Sequence, residues 1–142
     1  TIAKFTKYND GNNDYSHNYV PYAPRNTVML AADFKIPLGK EKQYSTKTRN
    51  WQRIAVKDLS IHADYRGVGK IYWDETNNLS QPYYGVLSAC IGLNLNCFTL
   101  SVYGKNLTDK EYNVFYFKSV GNSFVQKGRP VELGVSINFY LR

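Results

Sequence analysis

Val131-Glu132-Leu133-Gly134-Val135-Ser136-Ile137-Asn138-Phe139-Tyr140-Leu141 alternates from end to end. Val131, Leu133, Val135, Ile137, Phe139 and Leu141 are apolar, and Glu132, Gly134, Ser136, Asn138 and Tyr140 fall between them. Successive side chains of a strand point to opposite faces, so this is a ribbon with one oily and one wet face. At ~3.3 Å per residue the run is ~36 Å long, and a ~45° tilt turns that into ~25 Å of height, the apolar band of an outer-membrane barrel. The spacing predicts a membrane-crossing strand at 131–141.

The same period of two recurs upstream, in Val28/Leu30/Ala32/Phe34/Ile36, Leu59/Ile61/Ala63/Tyr65, Leu87/Ala89/Ile91/Leu93 and Phe98/Leu100/Val102. A sixth strand is expected to end near Phe5–Tyr8. Asp33, Lys35, His62, Asp64, Arg66, Lys105 and Glu132 all take the opposite parity, and no apolar-face position is charged although 20% of the chain is. A Lys or Arg facing lipid at mid-membrane costs ~2–4 kcal/mol, which accounts for the exclusion. Connections are unequal: Asn94–Asn96 suits a tight turn, whereas 9–25, 73–82 and 106–128 are long and rich in Asn, Gly and Tyr, as in a barrel with short turns on one side and long loops on the other. The 13 Tyr outnumber the 7 Phe, and aromatics gather near strand ends (Tyr72, Trp73, Tyr83, Tyr84, Phe139, Tyr140). A ring with a polar tip suits an interface that is apolar on one side and wet on the other. The reading is all-β: an antiparallel transmembrane β-barrel to which this chain supplies about six strands. A membrane barrel needs about eight, and open edges would leave backbone groups unpaired in lipid, so the rest of the barrel must come from elsewhere. Alternation also fits a soluble, secreted β-sandwich binding carbohydrate or protein, which is the rival from another class.

The net charge is +7, and the cations concentrate at Lys35, Lys40, Lys42, Lys47, Arg49, Arg53 and Lys57. Without an aromatic platform or nucleic-acid motif, this reads as a solvated loop, or one meeting anionic lipid head groups, ahead of nucleic acid. No apolar stretch approaches the ~18 residues of a membrane helix, which does not bear on strands. The chain has no initiator methionine or signal peptide, and Thr1–Tyr8 reads as a strand already under way, so a tail of a longer protein is expected. Segments 37–57 and 110–118 have no single reading; they contain strand-like pieces, Trp51–Val56 and Tyr112–Lys118, that could lengthen strands beyond the membrane.

No enzyme can be assembled from these residues. His17 and His62 have no metal-ligand spacing, and no metal or cofactor is expected. His62 lies on the lumen parity between Ser60 and Asp64, where a hydrogen-bond network is its expected role. His17, near Asp14, Tyr15 and Tyr19, is a candidate contact for haem or a siderophore. Asp10-Gly11-Asn12-Asn13-Asp14 has a calcium-ligand composition without the EF-hand pattern and reads as a turn. Cys90 and Cys97 flank the expected tight turn with lumen parity and could face each other within disulfide reach, or remain two free thiols. Asn106-Leu107-Thr108 fits a glycosylation acceptor only in a eukaryotic secreted protein.

Asn106-Leu107-Thr108-Asp109-Lys110-Glu111-Tyr112 resembles the "NL-[TF]-D-x-x-Y" signature in the closing strands of TonB-dependent outer-membrane receptors. Asp74, Asn77, Pro82 and Tyr83 are spaced like that family's "D..N....P.Y" segment, and Pro24-Arg25 looks like its proline-led start of a strand. Phe115 to Pro130, with Gly121, Phe124, Gln126, Lys127, Gly128 and Arg129, resembles the variant of the Bacteroides group. The resemblance covers roughly residues 1–142 and implies the C-terminal segment of a barrel of about 22 strands around an N-terminal plug. It implies an outer-membrane receptor of Gram-negative bacteria that imports a scarce nutrient (ferric siderophore, haem, cobalamin or oligosaccharide) with energy relayed by TonB through the plug. The implied partners are the lipid bilayer and lipopolysaccharide, the plug and earlier strands, TonB and the nutrient, with no nucleic acid. It places 9–25, 73–82 and 106–128 outside the cell and makes Val135, Ile137, Phe139 and Leu141 the strand read by the assembly machinery. The family usually ends on an aromatic residue; here Leu141-Arg142 follow Phe139-Tyr140. Tyr15, His17, Tyr19, Tyr22, Trp73 and Tyr83 are the candidate ligand contacts, since rings with hydrogen-bonding tips suit flat, polar ligands.

Overall fold

The computed structural model describes residues 2–39 and 55–140, and β-strands are the only regular elements among them. In chain order they are β1 (Thr27–Pro37), β2 (Val56–Val68), β3 (Ile71–Tyr72), β4 (Ser80–Gln81), β5 (Tyr84–Leu95), β6 (Phe98–Lys105), β7 (Asn113–Ser119), β8 (Asn122–Lys127) and β9 (Glu132–Phe139). Five of them form one sheet in the order β1-β2-β5-β6-β9, with every pairing antiparallel. β3-β4 and β7-β8 are separate two-stranded hairpins inside the connections 69–83 and 106–131.

Register carries the sequence pattern across the whole sheet. Ile36, Leu59, Leu93, Leu100 and Ile137 stand in one row, and Phe34, Ile61, Ile91, Val102 and Val135 in the next. Ala32, Ala63, Ala89, Gly104 and Leu133 make a third. A one-residue slip at any junction would send a strand's apolar set to the other face, so this coincidence across four junctions fixes one continuous apolar surface. That surface is bare: Phe34 is 63% exposed, Val135 65% and Leu133 72%. A soluble sandwich would cover it with a second sheet, and none lies over it among the described residues. Apolar surface on this scale calls for an apolar surrounding. At one end of it, glycines make room for rings. A Cβ on Gly85 would come within 2.1 Å of the Tyr65 hydroxyl, and one on Gly67 within 2.2 Å of that of Tyr83. The two hydroxyls are hydrogen-bonded at 2.6 Å.

The opposite face is polar and cross-linked. His62 Nδ1 lies 2.7 Å from Asp33 Oδ1, and its Nε2 lies 3.6 Å from Asp64. Toward the Asn96–Cys97 turn, Lys35 pairs with Asp58 at 3.3 Å, and Asn94 donates to Asp58 at 2.5 Å. Thr99 donates to Asn94 at 2.8 Å and meets the Tyr140 hydroxyl at 2.9 Å. This chain of contacts runs from β1 to the residue after β9, and His62 forms a separate cluster with Asp33 and Asp64 on the same face.

Three expectations need correcting. The segment expected to end a sixth strand does not join the sheet. Phe5 donates to Asn18 O, His17 to Phe5 O and Tyr15 to Tyr8 O, so it folds back on residues 13–19, with bridges at Lys4–Tyr19 and Asn9–Asp14. The side chains of Asn9, Asp10 and Asp14 at the tip accept from local backbone N–H groups in competition with a ladder. Cys90 and Cys97 are free thiols. β5 runs on to Leu95, so the tight turn falls at Asn96–Cys97, and Cys90 stands opposite Tyr103 rather than Cys97. Finally, 106–128 is not plain loop: Tyr112–Lys118 contributes to β7, which pairs with β8 instead of lengthening a sheet strand. Val120 and Gly121, both at positive φ (47° and 76°), turn that hairpin, the backbone of a two-residue type I′ turn. Lys40, Lys42, Lys47, Arg49, Arg53, most of Trp51–Val56 and Leu141 lie outside the described residues.

Candidate functional site

The long connections 2–26, 69–83 and 106–131 all leave the same end of the sheet, where Thr27, Val68, Tyr84 and Lys105 lie. Backbone and amide bonds tie them together. Tyr22 N donates to Tyr72 O at 2.8 Å, Arg25 N to Lys70 O at 3.0 Å and Gly69 N to Asn26 O at 2.7 Å. Asn77 clamps the backbone of Tyr19 from both sides, accepting its N–H at 2.7 Å and donating to its carbonyl at 2.9 Å. Asn77 itself sits at φ 59°, a left-handed conformation that asparagine tolerates better than most residues. Asp74 prepares this clamp: its side chain accepts from Leu79 N and from the Thr76 hydroxyl, and its carbonyl accepts from Asn77. Gln81 and Asn113 exchange two bonds, at 2.6 and 3.2 Å, and so join β4 to β7.

Aromatic rings fill the space between. Trp73 is 7% exposed and packs with Val68, Ile71 and Tyr84 in the main buried cluster, flanked by Leu79, Tyr112 and Tyr116. Tyr22 stacks on Phe115 at 5.3 Å, meets Trp73 edge-on at 5.6 Å and donates its hydroxyl to Tyr116 O at 2.9 Å. Each such ring pair is worth ~0.5–1.5 kcal/mol beyond area burial. Tyr22, Trp73 and Tyr116 line an open cleft of about 540 Å³ rimmed by Asp74, Glu75 and Lys118. The cleft is apolar at its wall and charged at its lip, which suits a planar ligand bearing polar groups.

Of the six expected contacts, the structure brings Tyr22 and Trp73 to one cleft. Trp73 forms its buried wall more than its accessible surface. Tyr19 lies one ring further out, stacked on Tyr72 at 5.3 Å. Tyr15 and His17 sit in the neighbouring arm: Tyr15 packs on Tyr8 at 5.5 Å and donates to Asp10 at 3.1 Å, and His17 adopts φ 69°. Tyr83 stands apart, on the apolar side of the sheet end with Tyr65. Phe115 and Tyr116 were missed, because alternation in 112–118 reads equally as a strand extension. Their neighbour Gln81, paired with Asn113, carries no signal beyond its type.

The Asp10 turn has a titratable signature. The N–H groups of Asn12 and Asn13 point at Asp10 Oδ1 from 2.9 and 2.7 Å, and these bonds hold its carboxyl below the ordinary aspartate value. A lowered folded-state pKa means this contribution is complete above the unfolded value and is lost as pH falls through the folded one. In the full-length protein, amide exchange at Asn12 and Asn13, corrected for intrinsic rates, is expected to accelerate on acidification below the ordinary aspartate range. Asp10→Asn should remove that pH dependence; acceleration that persists in this variant would refute the assignment.

The segment Asn106–Tyr112 is a staple. Asn106 is 3% exposed at φ 48°. It donates to Lys110 O at 3.1 Å and Arg129 O at 2.9 Å, and accepts from Lys110 N at 3.0 Å. Leu107 N reaches Leu87 O at 2.8 Å and Thr108 reaches Gly85 O at 3.3 Å, pinning the exit of β6 against β5. Asp109, at φ 45°, donates to Asn106 O at 2.8 Å. Tyr112 stacks on Tyr84 at 4.4 Å with Gly128 beneath its ring, where a Cβ would come within 2.1 Å of Cζ. The stretch is a structural motif that positions the 106–131 connection over the sheet end.

The family model for "TonB dependent receptor-like, beta-barrel" matches residues 1–107. The chain therefore belongs to the TonB-dependent receptor β-barrel family. Among solved structures it resembles the ferric yersiniabactin uptake receptor FyuA from Yersinia pestis, with a TM-score of 0.69 at 22% identity over 90% of this chain. At that identity the likeness is one of fold. The chain spans 18% of the length of that receptor.

Proposed function

We propose that this chain is the C-terminal part of a barrel in an outer-membrane receptor that takes up a scarce nutrient with TonB-coupled energy. The single observation that carries the reading is the continuous bare apolar face opposed by a cross-linked polar one, in a chain of this family. On this reading the apolar face meets the bilayer, the polar face meets the plug, and TonB acts through that plug from the periplasm. Earlier strands close the barrel against the free edges of β1 and β9. The ends carrying 2–26, 69–83 and 106–131 lie outside the cell, where the Tyr22–Trp73–Tyr116 cleft receives the ligand. A ferric siderophore, haem, cobalamin and an oligosaccharide all present flat or ring surfaces with polar groups, and FyuA is an uptake receptor for ferric yersiniabactin.

The chemistry is non-covalent: rings supply contact area, and the charged lip orients the ligand before the plug moves. Tyr22→Ala in the full-length receptor removes one ring and one hydroxyl from the cleft and should weaken nutrient binding about tenfold, the size of one aromatic contact. Equilibrium binding to purified receptor checks this, with growth on each nutrient class as sole source identifying the ligand. Unchanged affinity in the variant would remove the cleft from the site.

A further inference from the structure

The β7–β8 hairpin carries an apolar surface that the Tyr22 cleft uses only in part. Three of the chain's seven phenylalanines fall within residues 115–124. Phe115 and Phe117 alternate along β7, and Phe117 stands opposite Phe124 on β8, so the three share one face of the hairpin. Phe117 stacks on Phe124 at 4.8 Å, nearly parallel at 11°, and meets Phe115 at 5.6 Å. These rings stay open: Phe115, Phe117 and Phe124 are 42%, 39% and 48% exposed. A two-stranded hairpin is marginal in water by itself, and one that holds three open phenylalanines calls for an apolar occupant.

Position selects that occupant. Val68 pairs with Tyr84 in the register that sets Asp64 opposite Ser88 and His62 opposite Cys90, so both lie on the polar side of the sheet. Tyr112 stacks on Tyr84, and Tyr116 packs against the cluster of Val68, Ile71, Trp73 and Tyr84. The hairpin is therefore anchored on the polar side, from which a soluble nutrient enters, and not on the side that meets lipid. Phe117 and Lys118 also line the Tyr22–Trp73–Tyr116 cleft, which makes the phenylalanine face continuous with it.

The chemistry of the rings narrows the class. Tyr22 donates its hydroxyl to Tyr116 O at 2.9 Å, and Tyr116 donates its own to Ser123 Oγ at 3.1 Å. Both tyrosine tips are thus engaged within the protein, and phenylalanine has none. A sugar laid on this face would give up water at its hydroxyls without gaining a partner from the rings. A conjugated ring gives up no hydrogen bond and gains ring–ring contact. Residues 113–131 hold three cations and no acid. Lys127 pairs with Glu111 and Arg129 with Glu132, which leaves Lys118 without an ion pair among the described residues.

We propose that the Phe115–Phe117–Phe124 face, with Lys118 beside it, holds a planar conjugated ring system bearing acidic oxygens, as in an aryl-based ferric chelate or a porphyrin carboxylate. The nutrient then belongs to this class and not to the oligosaccharides. The proposal rests on the receptor reading and narrows it.

The test titrates the full-length receptor, purified in neutral detergent, with ferric tris-catecholate, haemin and maltohexaose in a calorimeter. Saturable binding of at least one conjugated probe is expected, with the stronger of the two telling chelate from porphyrin, and none of maltohexaose. Phe117→Leu/Phe124→Leu keeps the surface apolar but removes its rings, and should weaken the conjugated probe about tenfold. Phe117→Tyr/Phe124→Tyr keeps the rings and should retain its affinity. Equal affinity in the leucine variant and the unaltered receptor overturns the proposal. Saturable binding of maltohexaose, or failure of both conjugated probes, overturns it with no variant needed, so a misfolded variant does not shield it. Recovery of the receptor from outer-membrane fractions separates the two claims: its absence there sinks the receptor reading, whereas its presence with sugar binding sinks only this inference.

Discussion

Val102→Lys in the full-length receptor is expected to cost ~2–4 kcal/mol of barrel stability, whereas Ser101→Lys, one residue away, should be nearly neutral. Val102 stands mid-row on the apolar face between Ile91 and Val135, and Ser101 stands on the polar face between Gly92 and Ser136. The two substitutions add the same side chain to the same strand of the same sheet. They place the same ammonium on opposite faces of one strand, so the large difference between them reports the medium each face meets. Denaturant unfolding of receptor in lipid vesicles gives the two values. Equal costs would mean that both faces meet water or both meet packed protein, and either outcome contradicts the assignment of faces.

The second large effect is at Asn106. Asn106→Ala deletes two donated bonds and the acceptor for Lys110 N, leaving the carbonyls of Lys110 and Arg129 without that partner in a buried site. An alanine must also hold φ 48°, which costs a β-carbon residue ~1–2 kcal/mol. With ~1 kcal/mol for each of the three bonds lost, the staple should weaken by ~4–5 kcal/mol. The loss is local. Hydrogen exchange should rise through 106–131 and at Leu87 and Gly85, where Leu107 and Thr108 attach, while β1 and β2 keep their protection. Asn106→Gly, which relieves φ without restoring the bonds, should recover only about a third of the loss. A uniform rise over the whole barrel in either variant would mean that the motif is part of global stability and not a staple for one connection.

The sheet was legible because membrane strands obey a strict two-residue period, and the apolar positions within β1, β2, β5, β6 and β9 fall into shared rows of the sheet. Loop structure was not legible in that way. The 106–131 connection holds a hairpin whose alternation in 112–118 looks the same whether the strand continues the barrel or folds on its own. Only Val120-Gly121, an uncommon pair to hold two positive φ values, separates the cases, and its β-branched residue hides the turn from composition rules. Of the two alternatives for Cys90 and Cys97, the facing pair is not met, for a related reason. Asn94 looks like a turn residue, yet its side chain serves the Asp58–Thr99 network on the polar face, so the strand continues past it. Candidate contacts fared unevenly because rings near strand ends have two uses. Tyr22 borders the cleft, Trp73 builds its core, and Tyr83 joins Tyr65 at the end of the apolar face. Residue type gave all three the same reading, and burial separated them.

The most direct test of the account follows β9 one residue at a time. In a Cys90→Ser/Cys97→Ser background, single nitroxide labels at positions 132 to 139 of the full-length receptor in bilayers would be challenged with oxygen, which concentrates in lipid, and with a water-soluble nickel chelate. Labels at 133, 135, 137 and 139 are predicted to respond to oxygen and those at 132, 134, 136 and 138 to be protected from it, a strict period of two. Collision rates without that period, or with nickel reaching both sets alike, would contradict the claim that the apolar face of this sheet lies against hydrocarbon.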